Sequence, residues 1–216
     1  MTLQELVKSN FSNLFFDNNH KSIYGKYHIR FELGGELKNG TKKRVKQVVE
    51  RAIEIFNQTI DSEEVLIVIE EYKTEFFDRN GNNKEYLYSL INKSKLKRFE
   101  GPFEQTYFET DSEGNRNELL SEDKLECDLL IGKMFKSDLK SKEIIEGIAN
   151  LEMGFEPYIT QDIVFFCPLT TNALNIYDDR GCDVWSNDKE HLRIIYKRLN
   201  NWILEYNRKE IDEKFK

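Results

Sequence analysis

Histidine, cysteine and proline are scarce in these 216 residues, with three of each. The cysteines, Cys127, Cys167 and Cys182, are odd in number, widely spaced and without a CxxC pair. That excludes a disulfide framework and a thiolate zinc site, and it points to the reducing cytoplasm. Long apolar runs are missing too. The start, Met1-Thr2-Leu3-Gln4-Glu5, lacks a basic segment followed by an apolar stretch, so neither secretion nor membrane insertion is expected. There is no GxSxG elbow, P-loop, HExxH or GxGxxG, which leaves the enzyme classes recognisable by short motifs without support, and no cofactor or metal is expected. A surplus of base is also absent: 32 Lys and Arg face 39 Asp and Glu, a net charge of −7. Phosphate contacts need clustered cations, so a general nucleic-acid binder is excluded, and the acidity suits a basic protein partner. The short basic clusters Lys42-Lys43-Arg44 and Lys93 to Arg98 are flanked by acids and read as solvated faces.

What is present is ample core material. Hydrophobic residues make up 39%, with 15 Phe and 10 Tyr, enough to fold despite 33% charged residues. No repeat, low-complexity tract or Pro/Gly-rich linker divides the chain, so residues 1–216 are expected to form a single α+β domain. Its architecture would be a mixed, largely antiparallel sheet packed against amphipathic helices.

Leu3, Leu6, Val7, Phe11, Leu14 and Phe15 predict an N-terminal helix over 2–17, within a unit spanning 1–20. Tyr27 to Leu33 alternates, with Tyr27, Ile29, Phe31 and Leu33 on one face and His28, Arg30 and Glu32 on the other. Val45, Val48, Val49, Ala52, Ile53 and Phe56 then carry the clearest helical spacing in the chain, and Val65 to Ile69 reads as a strand covered on both faces. Residues 73–123 are polar and less regular, with a short helix at Glu85 to Ile91 and strand character at Phe103 to Thr110. Leu125 to Phe135 returns to strand, Ser141 is placed to cap a helix ending at Gly154, and Asp162 to Pro168 is an apolar strand. Over 173–216, strands at Ala173 to Tyr177 and Cys182 to Trp185 form a hairpin around Asp178-Asp179-Arg180-Gly181, with Gly181 free to take a positive φ. Asn187 with Glu190 marks a helix start, Leu192 to Tyr206 a single apolar stripe, and Asn207 with Glu210 a second short helix.

Two polar constellations are candidates for chemistry or binding. Asp178, Asp179, Arg180 and Asp183 gather carboxylates on one tight loop, where oxygen ligands could hold a divalent cation. Arg180 would neutralise one of them, the spacing is not that of an EF-hand, and Asp and Gly are ordinary turn residues, so a structural hairpin or a partner-recognition tip fits better. His28, Arg30 and Glu32 share a strand face, where an acid, a base and an anion clamp could converge, or where cross-strand ion pairs could simply form. Trp185 is an interface anchor if exposed. Cys182 and His191 are the only nucleophile and base near each other in sequence, while Cys127 and Cys167 lie in apolar strands and read as core.

Tyr27-His28-Ile29-Arg30-Phe31-Glu32-Leu33-Gly34, Ile176-Tyr177-Asp178-Asp179-Arg180-Gly181-Cys182-Asp183-Val184 and Trp202-Ile203-Leu204-Glu205-Tyr206-Asn207-Arg208 together resemble a bacterial family, domain of unknown function 3885. The resemblance spans nearly the whole chain and brings no catalytic residues with it. It implies a bacterial, Bacillus-like cytosolic setting, in which small acidic proteins often neutralise basic toxins through charge complementarity. The resulting expectation is a non-enzymatic protein-binding or immunity-type module using Asp178, Asp179, Asp183 and Trp185. The alternative is an enzyme of unknown reaction, metal-dependent in one version, built on the His28/Arg30/Glu32 face or on the Asp178/Asp179/Asp183 loop.

Overall fold

The computed structural model describes residues 15–16, 23–24, 26–72, 84–104, 107–110, 116–119, 126–170 and 172–216. In chain order its strands are β1 (Phe15–Phe16), β2 (Ile23–Tyr24), β3 (Tyr27–Glu32), β4 (Glu64–Tyr72), β5 (Leu96–Glu104), β6 (Tyr107–Thr110), β7 (Arg116–Leu119), β8 (Glu126–Phe135), β9 (Asp162–Phe166), β10 (Ala173–Ile176) and β11 (Gly181–Ser186). The helices are α1 (Lys42–Thr59), α2 (Lys84–Leu90), α3 (Ser141–Met153), α4 (Lys189–Arg198) and α5 (Glu205–Phe215).

Seven strands make one sheet in the order β3-β11-β10-β9-β4-β8-β5, and every pairing in it is antiparallel. The expected α+β class is observed. The region 73–123 supplies α2 and the edge strand β5, together with the β6–β7 hairpin.

Strand alternation divides the sheet into two faces. Ile29 and Phe31, Val65, Ile67 and Ile69, Ile163 and Phe165, and Cys182 and Val184 meet the apolar sides of the helices in one core. Val48, Ala52, Ile55 and Phe56 of α1 and Ile144, Ile145 and Ile148 of α3 fill that core from above, and the Phe56 and Phe165 rings meet edge to face at 5.2 Å. The opposite face is also buried at its centre, through Leu66, Val68, Leu129, Ile131, Val164 and Phe166. β4 is therefore doubly covered, as its unbroken apolar run predicts.

Several local expectations are corrected. Phe15–Phe16, inside the predicted N-terminal helix, are strand and pair with Ile23–Tyr24; the rest of that helix lies outside the described residues. Ser141 does not cap: α3 starts after Lys140 with no side-chain cap bond, although it does end at Gly154 in the left-handed conformation (φ 71°). The cap of α4 is Asp188, which accepts from the Glu190 and His191 backbone N–H groups, while Asn187 Oδ1 takes the Lys26 N–H.

The single C-terminal stripe is broken. α4 ends at Arg198, a 3₁₀ turn covers Asn200–Trp202, and α5 begins at Glu205 without a side-chain cap, not at Asn207. The cause is pairing with the sheet edge: Ile203 bridges Phe31 and the Leu204 N–H donates to the Arg30 carbonyl at 3.0 Å, which no continuous helix allows. Tyr206 consequently lies outside the core and is 91% exposed.

Candidate functional site

The hairpin is a regular two-stranded ladder, Ala173 opposite Trp185 through Ile176 opposite Cys182, and β11 is sandwiched between β10 and the edge strand β3. Gly181 does not use a positive φ. It is needed for space, because a Cβ there would meet the Tyr177 hydroxyl and come within 2.6 Å of the Phe31 carbonyl.

Each hairpin carboxylate has its own arginine. Asp178 accepts the Arg180 backbone N–H at 2.7 Å and the Arg180 guanidinium, Nε at 2.7 Å, which is the turn chemistry expected of Asp. The Asp178 bond raises the pKa of Arg180. Asp179 points the other way, into the protein, and accepts Arg44 Nε at 2.5 Å; both residues are buried. Arg44 also donates to the carbonyls of Gly35 (3.0 Å) and Leu37 (2.6 Å). Any side chain at Gly34 would overlap the Arg44 guanidinium, so the glycine pair makes room for a strut from α1 to the hairpin. Reading Lys42-Lys43-Arg44 as a solvated face is therefore wrong for Arg44.

Asp183 faces the opposite side of the sheet, where its register partner is Arg30. The pair is bidentate, Nε to Oδ1 at 2.7 Å and Nη2 to Oδ2 at 3.0 Å, and His28 Nε2 lies 2.8 Å from the same Oδ1. Burial pushes the Asp183 carboxyl up, but the His28 and Arg30 hydrogen bonds outweigh it and hold its pKa below the usual value. Arg30 is raised by the same bond. The His28 ring stacks on Trp185, centroids 5.5 Å apart and planes within 19°, and the Arg30 guanidinium lies 5.8 Å from the centre of the Tyr177 ring. Burial first, then Asp183, pushes the Tyr177 hydroxyl up.

The structure thus brings His28, Arg30, Asp183 and Trp185 into one cluster and separates the other candidates from it. Asp178 and Arg180 close the loop tip, Asp179 belongs to the α1 strut, and Glu32 stands two register pairs away, opposite Gly181. The surface expected around the acids is not an exposed acidic one, since Asp178, Asp179 and Asp183 are all buried. What remains open is the side chain of Arg180, 75% exposed, with Arg30 and His28 at 37% and 36% and a partly exposed Trp185.

With three aspartates matched to three arginines, the hairpin has no spare oxygen set for a cation, and among the described residues no group of three His, Cys, Asp or Glu converges to hold a metal. Cys182 and His191 do not meet: the Cys182 thiol is in the core, its pKa pushed well up by burial, and His191 lies by Asp188 at 3.6 Å. Cys167 is buried, as expected, and the Cys127 side chain lies outside the described residues. Sequence reasoning missed Arg44 and Tyr177. The signals were the Gly34-Gly35 pair facing α1 and the position of Tyr177 four residues before Gly181.

A family model described as Domain of unknown function (DUF3885) matches residues 3–207, and the chain belongs to that family. It is also similar to a Bacillus subtilis (strain 168) protein named Uncharacterized protein YnaE, 30% identical over 84 residues that make up 32% of this chain and 35% of the relative. The aligned region thus spans about a third of that curated relative's length. No solved structure matches.

Proposed function

We propose that this DUF3885 protein is a cytoplasmic protein-binding module of the immunity type, not a catalyst, and that it grips a protein partner through the Trp185–His28–Arg30 platform. The observation that carries this reading is the stack of His28 on Trp185 beside an arginine fixed bidentately by Asp183, all on one half-exposed face of a three-stranded ladder. Trp and Arg dominate binding hot spots, and a side chain already held in one rotamer loses less entropy on binding. Arg180 extends the platform at the loop tip. Asp178, Asp179 and Asp183 act as supports that order those arginines and the turn, and Glu32 supplies a rim carboxylate. The exposed charges at the contact are the cations Arg30 and Arg180, so the patch they meet on the partner carries carboxylates, while the aromatic pair makes the close apolar contact.

The test is a tagged pull-down from the native host with the unmodified chain and with Trp185→Ala, each checked for an intact melting transition. A near-stoichiometric partner whose affinity falls by roughly 30-fold or more in the variant is the expected result, as for a hot-spot residue. A folded Trp185→Ala protein that keeps its partner unchanged would falsify the assignment. One observation favours the enzyme reading: His28 is oriented by Asp183 at 2.8 Å, as a general base is by its carboxylate. Stacking on Trp185 and sharing Asp183 with Arg30 suit a fixed contact surface better than a proton shuttle.

A further inference from the structure

We propose that an ordered water is bound at the end of the sheet, between the last turn of α1 and the β9–β10 loop, and that it ties the loop to the helix. Thr59, the final residue of α1, is fully buried, and Asn172, just before β10, is 3% exposed. Thr59 Oγ1 and Asn172 Oδ1 have no hydrogen-bond partner among the described residues, and neither has the buried Oγ1 of Thr170 on the same loop. Thr59 and Asn172 adjoin: Asn172 Nδ2 donates to the Thr59 carbonyl at 3.4 Å, and the Asn172 carbonyl accepts the Cys167 N–H at 2.9 Å, closing the loop.

Rotating the Asn172 amide by half a turn does not resolve the problem. It would aim the amide oxygen at the Thr59 carbonyl and leave a nitrogen without an acceptor. Buried polar atoms are costly without partners, and native interiors supply them with waters that make about three hydrogen bonds each. The groups that adjoin are one amide acceptor and the Thr59 hydroxyl, which can donate or accept, a set that matches a molecule carrying both donors and acceptors. A cation fits poorly, because Lys136 Nζ already donates to the neighbouring Ile60 carbonyl at 2.7 Å and brings its own positive charge.

Two measurements on the full chain test this. A crystal structure that resolves ordered solvent is expected to show a water within about 2.7–3.2 Å of both Thr59 Oγ1 and Asn172 Oδ1. The near-isosteric Thr59→Val variant removes one of its partners and is expected to lower the melting midpoint by about 2–4 °C. The two hypotheses differ in the sign of that shift. If Thr59 Oγ1 has no water, a methyl group relieves its desolvation cost and Thr59→Val melts at or above the unmodified chain. That outcome, or density showing no water between the two atoms, overturns the proposal.

Discussion

At each edge of the seven-stranded sheet an arginine is held by carboxylates. Arg30 of β3 is clamped by Asp183 of β11; Arg98 of β5 reaches Glu71 of β4 and Asp128 of β8, both at 2.6 Å. The two arginine side chains are equally exposed, at 37%, and each clamp includes a tyrosine, Tyr177 beside Arg30 and Tyr88 donating to Glu71. Burial raises both phenol pKa values, helped by Asp183 in one case and by the Glu71 bond in the other. The surroundings differ. Arg98 shares the helix-facing side with Leu130 and ties together three adjacent strands, on an edge interrupted by a register shift between Phe99 and Phe103 with Pro102 inside it. A bulge and a proline discourage strand addition. The β3 edge is closed instead by Ile203 and Leu204, and Arg30 projects from the other face beside stacked aromatic rings. The same ion-pair chemistry serves as a strut at one edge and at the other fixes the face proposed for recognition.

The largest effect is expected below the platform, at the Arg44–Asp179 pair. Asp179→Ala leaves a buried guanidinium without its carboxylate and is expected to cost about 3–5 kcal/mol in urea denaturation. A double replacement, Arg44→Met with Asp179→Leu, is expected to cost less than Asp179→Ala alone, because no uncompensated charge remains. Equal losses for the single and the double variants would mean that packing, and not the ion pair, holds the hairpin to α1.

The two clamps come next. Arg30→Ala and Arg98→Ala each remove charge-assisted hydrogen bonds, and with more than a third of each side chain in water the expected cost is about 1–2 kcal/mol apiece. Partner binding separates them: Arg30→Ala is expected to weaken it and Arg98→Ala to leave it unchanged. If titration calorimetry finds both variants impaired alike, the platform has no privileged role.

Much of this was legible in the sequence, and the reason is periodicity. The alternation of Tyr27 to Leu33 placed His28, Arg30 and Glu32 on one face correctly, and the α1 spacing and the Val65–Ile69 run identified a helix and a doubly covered strand. What alternation cannot supply is register. Whether Asp183 lies opposite Arg30 or Glu32 depends on the long-range pairing of β11 with β3, which no local turn sets, and a two-residue shift would have set two carboxylates against each other. Arg44 was missed because a basic triplet after a turn looks solvated; only the close passage of Gly34 shows that one of its members turns inward. Tyr206 was misplaced because helical spacing persists through Trp202, although Ile203 leaves the helix to pair with β3.

The smallest effect is the most specific to the Arg30 clamp. The native pKa of Asp183 lies below its unfolded value, so its ionised form stabilises the fold fully above the ordinary carboxylate range and progressively less as pH falls through the native value. Asp183→Asn keeps the shape but has no charge to lose. The stability difference between the unmodified chain and Asp183→Asn is therefore expected to narrow from about pH 4 downwards, where an unperturbed aspartate begins to protonate. Denaturation curves at pH 5, 4 and 3 would follow the narrowing. A difference that stays constant over that span would show that Arg30 and His28 hold Asp183 by geometry alone, and that its charge adds nothing to the platform.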